Sequence, residues 1–337
     1  MITVQTGSRL HFGLFSLATE PHWPNSEGQR VIPARRFGGV GLMVESPGVR
    51  VRIEPADSWS VEGPLAEPIR TNIVDPLISA QFCGPIAPHK VSIEKWPAAH
   101  MGLGSGTQLA LAIARALHKS DRTPFCSELA QVYGSYLGRG QRSALGIHGF
   151  FKGGFVIEGG QPVNTPRFPP LLVHREFPNT WRIVLAIPLS IQGLHGGPER
   201  EAFRRLAGQP FPHSATDSLC RLALLGMLPA LVEQDCQAFG ESLYDFNRRV
   251  GEMFAPVQGG PYSHPIVAEL VEFIRREGVP GVGQSSWGPT VFAVVADEER
   301  AGALAAAVRK RFGFQADEVI CTAACNHGAS VTGEPGM

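Results

Sequence analysis

The sequence has no excess of charge of either sign and no long uninterrupted hydrophobic run. Its 30 basic and 30 acidic side chains balance over 337 residues, so neither nucleic acid nor an anionic membrane is expected as a bulk partner. No apolar run approaches the roughly 20 residues that a membrane span needs, and the N-terminus shows no secretory signal. These absences predict a cytoplasmic protein in which any anion binding is confined to a local site.

Cysteine is also scarce. Six cysteines in a chain of this length do not indicate a disulfide framework, and reduced thiols are the simpler interpretation. Residues 18–39 lack hydrophobic periodicity and are rich in polar and turn-forming residues, which predicts a long loop of the kind that is often functional. The sequence leaves open whether this loop closes as a lid.

Hydrophobic periodicity predicts a mixture of strands and helices without strict βαβ alternation, which favours an α+β fold. The proline-rich stretch 162–173 marks an expected boundary, so we predict two domains, 1–175 and 176–337. The expected strands cover 4–15, 49–56, 89–96, 153–160, 181–188, 290–295 and 316–324. The expected helices cover 107–117, 123–137 (with Thr123 as its N-cap), 217–232, 235–250, 264–277 and 297–312.

The segment HMGLGSGTQLALAIARALHK, residues 100–119, leads through four small residues into an apolar helix. The first amides of a helix lack intrahelical partners and lie at the positive end of its dipole, so a glycine-rich turn there can hold phosphate. The turn has neither the GK[ST] of a Walker loop nor the dinucleotide-binding G-x-G-x-x-G pattern. By itself it fits a tight structural turn equally well. The candidate phosphate-binding residues are Gly102, Leu103, Gly104, Ser105, Gly106 and Thr107.

Two further segments contain residues suited to chemistry. TGSRLHFGLF, residues 6–15, places Arg9 and His11 two positions apart, on one face of a predicted strand. VGQSSWGPTVFAVV, residues 282–295, is a second small-residue turn and ends in a strand. The structural alternatives are a solvated face for Arg9 and a hydrogen-bonded core position for His11.

In their order and spacing these three segments resemble the motifs of the GHMP kinase superfamily. Residues 6–15 resemble its N-terminal motif, 97–108 its phosphate loop with Gly106 in place of the second serine, and 283–289 its C-terminal motif. The chain is more similar still to one branch, β-ribofuranosylaminobenzene 5'-phosphate synthase. The segments that carry this similarity are SRLHFGL, FGGVGLMVE (37–45), GRGQRSALGIHGFFKGGFVIEGG (138–160), GLHGGPEREAF (193–203) and GQSSWGPTVFA.

The resemblance implies a two-domain GHMP-kinase-like fold, with an N-terminal ribosomal-protein-S5-domain-2-like domain and a C-terminal ferredoxin-like domain. The implied reaction joins phosphoribosyl pyrophosphate to 4-hydroxybenzoate or 4-aminobenzoate, with release of carbon dioxide and pyrophosphate, in tetrahydromethanopterin biosynthesis. Because negative charge grows on the departing pyrophosphate, oriented donors and Mg²⁺ are expected at the site.

Under this interpretation Arg9, His11 and His148 are the candidate catalytic residues. His148 stands in the middle motif, where kinases of the superfamily carry an aspartate base, and this departure counts against phosphorylation by ATP. Either histidine could contact the para substituent of the acceptor. The candidates for holding the benzoate carboxylate are Arg36, Arg139 and Arg142. The candidates for contacting substrate in the C-terminal turn are Gln284, Ser285, Ser286, Trp287 and Gly288.

Several alternatives stay open. The same loop could serve an ATP-dependent small-molecule kinase, or a binding protein without catalytic activity. Glu199 and Glu201 could bind Mg²⁺ or could simply favour a helix N-terminus. The run Asn247, Arg248 and Arg249 fits a solvated helix face better than a cleft. The sequence does not identify the acceptor or the oligomeric state, for which a homodimer is one option.

Overall fold

Two β-sheets form the frame of the protein in a computed structural model that describes residues 1–80, 85–118, 125–191, 193, 196–207 and 212–333. The strands, in chain order, are β1 (Ile2–Ser16), β2 (His22–Pro24), β3 (Arg30–Pro33), β4 (Arg35–Pro55), β5 (Ser60–Glu62), β6 (His89–Lys95), β7 (Phe155–Glu158), β8 (Gln161–Pro162), β9 (Leu171–Arg175), β10 (Arg182–Ala186), β11 (Gly281–Gln284), β12 (Val291–Val295), β13 (Val319–Thr322) and β14 (Ser330–Thr332).

The helices pack on these sheets. They are α1 (Ala66–Ile69), α2 (Asp75–Ala80), α3 (Ser105–Leu117), α4 (Ser127–Tyr136), α5 (Leu145–Lys152), α6 (Gly196–Ala207), α7 (His213–Leu222), α8 (Leu228–Glu233), α9 (Cys236–Gln258), α10 (Pro265–Arg276) and α11 (Glu298–Phe312). Short π-helical stretches, Arg70–Val74 and Ala223–Met227, join α1 to α2 and α7 to α8. The predicted N-cap Thr123 lies outside the described residues.

The first sheet is built around the long antiparallel pair β1 and β4, to which β6, β7, β8 and β14 also bind. Both faces of β1 are covered, so Val4, Leu10 and Phe12 are all inaccessible to solvent, and this explains why the strand alternates only weakly in sequence. The pairing shifts register between His11 and Gly13. Such irregularities re-aim side chains, and this one lies beside the candidate catalytic histidine.

The second sheet has the order β11-β12-β10-β13 and is antiparallel throughout. With α10 and α11 packed on it, this is the ferredoxin-like arrangement that the resemblance implies. Helix α9 lies between the sheets and contacts β1, β11 and β12. The largest buried cluster fills this region and includes Phe12 of β1, Ile183 of β10 and Phe246 of α9. The two sheets therefore share one core.

Two expectations need correction. Residues 18–39 are not an unstructured loop, because β2 and β3 form a hairpin there and β4 begins at Arg35. Asn25 stabilises the hairpin turn: its side-chain Oδ1 accepts hydrogen bonds from the amides of Glu27 (3.0 Å) and Gln29 (2.9 Å). Strands of three and four residues are too short to produce a visible period.

Helix α9 is also longer than the expected 235–250, since it continues to Gln258. Gly251 and Pro256 are poor helix formers and obscure the pattern. The structure explains the glycine: a β-carbon at position 251 would lie 2.0 Å from the carbonyl oxygen of Pro261. Close packing therefore requires glycine here, and the extra two turns carry side chains to the site described below.

One helical stretch, His213–Glu233, is long and apolar enough by length and composition to cross a membrane, with a mean hydropathy of 1.4. Leu219, Ala223 and Met227 of this stretch are buried, and α7 and α8 both contact α9. A buried stripe at this spacing is typical of a helix that packs on a protein core. All five cysteines in the described part of the chain are free thiols.

Candidate active site

The glycine-rich turn and the C-terminal turn hold each other in place. Gly104 adopts φ +65° as the N-cap of α3, and Gly102 adopts φ +84°. The Ser285 hydroxyl donates to the carbonyl of Gly102 (2.7 Å), and the Thr290 hydroxyl donates to that of Met101 (2.6 Å). A β-carbon on Gly288 would lie 2.1 Å from the Gly102 nitrogen. These contacts fix the backbone that leads into the first turn of α3.

Arg9 is held at this same helix start. Its amide donates to the carbonyl of Leu103 (2.8 Å), and its guanidinium packs beside Gly104. Burial lowers the pKa of Arg9 to about 10, an effect that the nearby charges of Glu158 and Glu199 oppose. Arg9 stays protonated at neutral pH, yet its Nε and Nη1 have no hydrogen-bond partner among the described residues. A half-buried cation with two buried, unused donors is suited to an anionic ligand.

His11 lies two residues further along β1, where its surroundings favour the neutral imidazole. Burial lowers the pKa of His11 well below its usual value, and the charge of Arg9 lowers it further. The backbone of His11 is tied to the C-terminal turn, since its amide donates to Ser285 Oγ (3.0 Å) and its carbonyl accepts from the Ser286 amide (3.1 Å). The N-terminal and C-terminal motifs thus form one structure around Arg9 and His11.

Two cavities meet at Arg9. The loop cavity, of about 390 Å³, is lined by the whole segment 102–107 and by side chains that include Ile69, Asn72 and Trp96. The aromatic cavity, of about 240 Å³, is lined by His11 and by an apolar wall of Phe12, Phe203, Phe254 and Trp287. Six residues line both cavities and define their junction: Arg9, Thr107, Arg139, Glu199, Ser286 and Trp287.

Of the three other arginines that the sequence suggested for substrate binding, two line the cavities and one does not. Arg139 lies at the junction, with its Nη1 close to Gly106 and its buried Nε without a partner in the described part of the chain. Arg142 lines the aromatic cavity, pairs with Glu199 and stacks over Phe203 with its Cζ 4.3 Å from the ring centroid. Arg36 lies over Phe37 and lines neither cavity.

Residues of the C-terminal turn fall into two groups. Trp287 faces both cavities and packs against Phe203 and Phe254, at 4.8 and 5.0 Å between ring centroids. Gln284 lines the aromatic cavity, but its amide nitrogen is already engaged, since it donates to Ser263 Oγ and to two carbonyls within its own turn. Among the residues expected on a helix face, Asn247 is buried and bonds to the backbone of Phe12 and Gln284.

The neighbouring Arg248 and Arg249 pair with Glu252 and Asp245 on the exposed side of α9, as expected for a solvated face. Glu201 is half-buried, lines neither cavity and pairs with Arg204 and Arg205. Glu199, in contrast, lies at the junction and is the one carboxylate that lines either cavity within the described ranges. Nowhere in those ranges do three His, Cys, Asp or Glu side chains cluster as metal ligands.

His148 does not reach the cavities. It lies on α5, where its Nε2 is 2.9 Å from the carbonyl oxygen of Pro169 and its ring packs on Phe168. The residue of this motif that faces the phosphate loop is Gly146, whose β-carbon would lie 3.4 Å from the Thr107 side chain. Positions two apart on a helix point in different directions. The structure therefore does not group His148 with Arg9 and His11, contrary to the sequence interpretation.

Sequence reasoning missed Glu158. This residue ends β7, is fully buried, and accepts a hydrogen bond from the Ala144 amide (2.7 Å) through Oε2. Burial raises the pKa of its carboxyl to about 7, although the Ala144 amide and Arg9 act in the opposite direction. The available signal was an acidic residue inside the apolar strand GGFVIEGG. Glu158 joins β7 to the start of α5, next to the segment that carries Arg139 and Arg142.

Comparison with known proteins identifies the class of fold. The family described as GHMP kinases C terminal matches residues 227–313. Homoserine kinase from Cytophaga hutchinsonii has the same fold, with a TM-score of 0.66 at 16% identity over 98% of this chain and 97% of that chain. The chain thus has the two-domain α+β fold of the GHMP kinases.

Sequence relatives narrow the class. The chain is 30% identical to the β-ribofuranosylphenol 5'-phosphate synthase of Methanothermobacter thermautotrophicus, over 97% of this chain and 98% of that protein. It is also 30% identical to the synthase of the same name from Archaeoglobus fulgidus, over 98% and 99% of the two chains. The chain belongs to the β-ribofuranosylphenol 5'-phosphate synthase family. This confirms the branch that the sequence motifs indicated.

Proposed function

We propose that this protein is a decarboxylating phosphoribosyltransferase of tetrahydromethanopterin biosynthesis, which joins phosphoribosyl pyrophosphate to 4-hydroxybenzoate or 4-aminobenzoate. The observation that carries the proposal is the junction of the two cavities. One cavity is lined by a glycine-rich helix start and the other by aromatic side chains, and a half-buried arginine lies where they meet. A phosphorylated donor and an aromatic acid would react at such a point.

The loop cavity suits the diphosphate of the donor. The first-turn amides of α3 and the hydroxyls of Ser105 and Thr107 would donate to its oxygens. Gly102 and Gly104 leave the backbone uncovered, so the phosphates can approach it closely. Donors that are already oriented stabilise the negative charge that grows on pyrophosphate as the bond to the ribose C1 breaks.

The aromatic cavity suits the acceptor. The unused donors of Arg9 and Arg139 would hold the carboxylate at the junction, next to the ribose C1. His11 lies on the same face of β1 as Arg9, about 6.6 Å further along the strand, which is comparable to the length of a para-substituted benzoate. Its neutral ring would then hydrogen-bond the para substituent. Phe203, Phe254 and Trp287 would enclose the benzene ring.

The reaction balances without an external base. The ring carbon that bears the carboxylate supplies an electron pair to the ribose C1, and the bond between that C1 and the pyrophosphate oxygen breaks. The bond between the ring and the carboxylate then breaks, and its electron pair restores aromaticity as carbon dioxide leaves. The enzyme must bring two anions together, and Arg9 and Arg139 reduce their repulsion.

We also propose that Mg²⁺ assists this step. Mg²⁺ is commonly held by one or two carboxylates together with substrate phosphates and water, and Glu199 and Thr107 at the junction fit that donor set. When bound, the ion would neutralise charge on the pyrophosphate. Because Arg142 pairs with Glu199, this ion pair would loosen when Mg²⁺ binds the carboxylate.

A cytoplasmic location agrees with the free thiols of the described cysteines.

The direct test uses carboxyl-labelled 4-hydroxybenzoate with Mg²⁺ and phosphoribosyl pyrophosphate. We expect labelled carbon dioxide only when the phosphoribosyl donor is present, and loss of release in Arg9→Met. Labelled 4-aminobenzoate in parallel identifies the preferred acceptor. No release from either acid, together with phosphate transfer from ATP to a small-molecule acceptor, would contradict the proposal and establish the kinase alternative. Tight binding of substrates without turnover would establish a binding protein.

A further inference from the structure

One wall of the aromatic cavity is formed by α9. Asn247, Val250, Phe254 and Gln258 line the aromatic cavity but not the loop cavity. They follow each other at helical spacing, so they lie on one face of α9. Gln258 is one turn beyond Phe254 and is the last residue of α9.

Gln258 has a fixed amide orientation. Its Nε2 donates to the carbonyl of Gly260 (2.9 Å) and lies 3.4 Å from the carbonyl of Gly251. Two carbonyl neighbours can be satisfied only by the nitrogen of the amide, so the assignment of oxygen and nitrogen follows from the hydrogen bonds. The other atom, Oε1, is a buried acceptor without a hydrogen-bond partner in the described part of the chain.

The buried polar atoms without partners around this cavity therefore divide by type and by place. Arg9, Arg139 and Trp287, at the junction, offer N–H donors, whereas Gln258, on the α9 wall, offers a carbonyl acceptor. A ligand complementary to both is an anion at one end and a hydrogen-bond donor at the other. A buried polar group without a partner is costly, so each of these atoms favours a ligand that satisfies it.

We propose that Gln258 determines acceptor specificity by accepting a hydrogen bond from the para hydroxyl or amino group of the aromatic acid. This inference rests on the proposed function. His11 cannot supply this selection alone, because a neutral imidazole can donate or accept according to its tautomer. The fixed carbonyl of Gln258 can only accept. It therefore favours acids whose para group carries a hydrogen, and accepting that hydrogen bond also enriches the ring in electrons for attack.

The experiment compares two acids of similar size, 4-hydroxybenzoate and 4-fluorobenzoate, of which only the first can donate from the para position. Binding is measured by calorimetry with Mg²⁺ and pyrophosphate present and without the phosphoribosyl donor, so no turnover occurs. We expect the wild-type protein to bind 4-hydroxybenzoate about tenfold more tightly or better, as one buried hydrogen bond allows. In Gln258→Met the preference for 4-hydroxybenzoate should fall about threefold or more, and the preference that remains is the contribution of His11.

Two variants separate hydrogen bonding from packing. Gln258→Glu keeps an acceptor oxygen, and both ligands are carboxylates, so added repulsion cancels in their ratio and the preference for 4-hydroxybenzoate should remain. Gln237→Met changes an exposed glutamine of the same helix and should behave as wild type. A preference that is as large in Gln258→Met as in the wild type, or that is absent in the wild type, would overturn the role of Gln258. Failure of the wild type to bind either acid would overturn the proposed function itself.

Discussion

Gly104 and Arg9 occupy adjacent space at the start of α3. A β-carbon on Gly104 would lie 3.1 Å from Nε and 3.4 Å from Cζ of Arg9. Gly104 also has φ +65°, a conformation that L residues with side chains rarely adopt. The phosphate loop and the N-terminal motif are therefore coupled sterically, because the position of the Arg9 guanidinium depends on residue 104 having no side chain.

Replacement of Gly104 by alanine should reduce turnover far more than it reduces stability. The left-handed backbone costs about 1 kcal/mol for alanine, while the displaced guanidinium should raise KM for the phosphoribosyl donor about tenfold or more. Gly313→Ala is the matched control, since Gly313 has φ +70° but a β-carbon there would meet no described atom within 4 Å. Equal activity of the two variants, measured with their melting temperatures, would contradict the coupling.

Neutralisation of Glu199 should weaken the response to Mg²⁺. In Glu199→Gln we expect the Mg²⁺ concentration for half-maximal activity to rise about tenfold, because one charged oxygen ligand is lost. Glu201→Gln is the control, as Glu201 lines neither cavity and pairs only with Arg204 and Arg205 among the described side chains. A metal titration that is the same for wild type and Glu199→Gln would rule out this carboxylate as a ligand.

Glu158 should make stability depend on pH. Its pKa rises from 4.5 to about 7 on folding, so between these values the folded state binds the extra proton and stability falls as pH increases. The loss should reach about 3 kcal/mol above pH 7. Glu158→Gln should remove it, so the variant gains stability over wild type as pH rises. Denaturant unfolding from pH 4.5 to 8 measures this, and a difference that does not change with pH would refute it.

The two histidines should respond differently to substitution. His11→Asn should lower kcat about tenfold or more, because the ring lies in the aromatic cavity. His148→Leu should leave kcat within about twofold but cost about 1–3 kcal/mol of stability, since the Pro169 carbonyl loses its partner. Steady-state kinetics and denaturant unfolding of both variants check this. A large loss of kcat in a stable His148→Leu protein would restore the catalytic interpretation of His148.

Local sequence predicted the elements that position the site. The glycine-rich turn before α3 and the Arg9–His11 pair on β1 were visible because their spacing alone constrains a helix start and a strand face. The hairpin of β2 and β3 was not visible, because its strands are too short. The end of α9 was missed because Gly251 satisfies a packing requirement from Pro261, and that requirement comes from a residue ten positions away.

Contacts between distant segments decided the remaining roles. No sequence motif marked Glu158 or Gln258. Burial in the folded chain raises the pKa of Glu158, and it leaves Oε1 of Gln258 without a hydrogen-bond partner among the described residues. His148 occupies a position of the middle motif, but its side chain points to Pro169. The direction of a side chain depends on where its helix starts and on how that helix packs. Spacing along the chain does not contain that information.

Local spacing and side-chain chemistry were enough to identify the family motifs, the α+β class and the residue types that can bind an anion. The folded chain was needed to show that Arg9, Arg139 and Glu199 meet at one junction and that Gln258 lines the aromatic cavity. The physical reason is that desolvation and hydrogen-bond satisfaction are properties of the packed chain. They arise when segments that are far apart in sequence exclude water together.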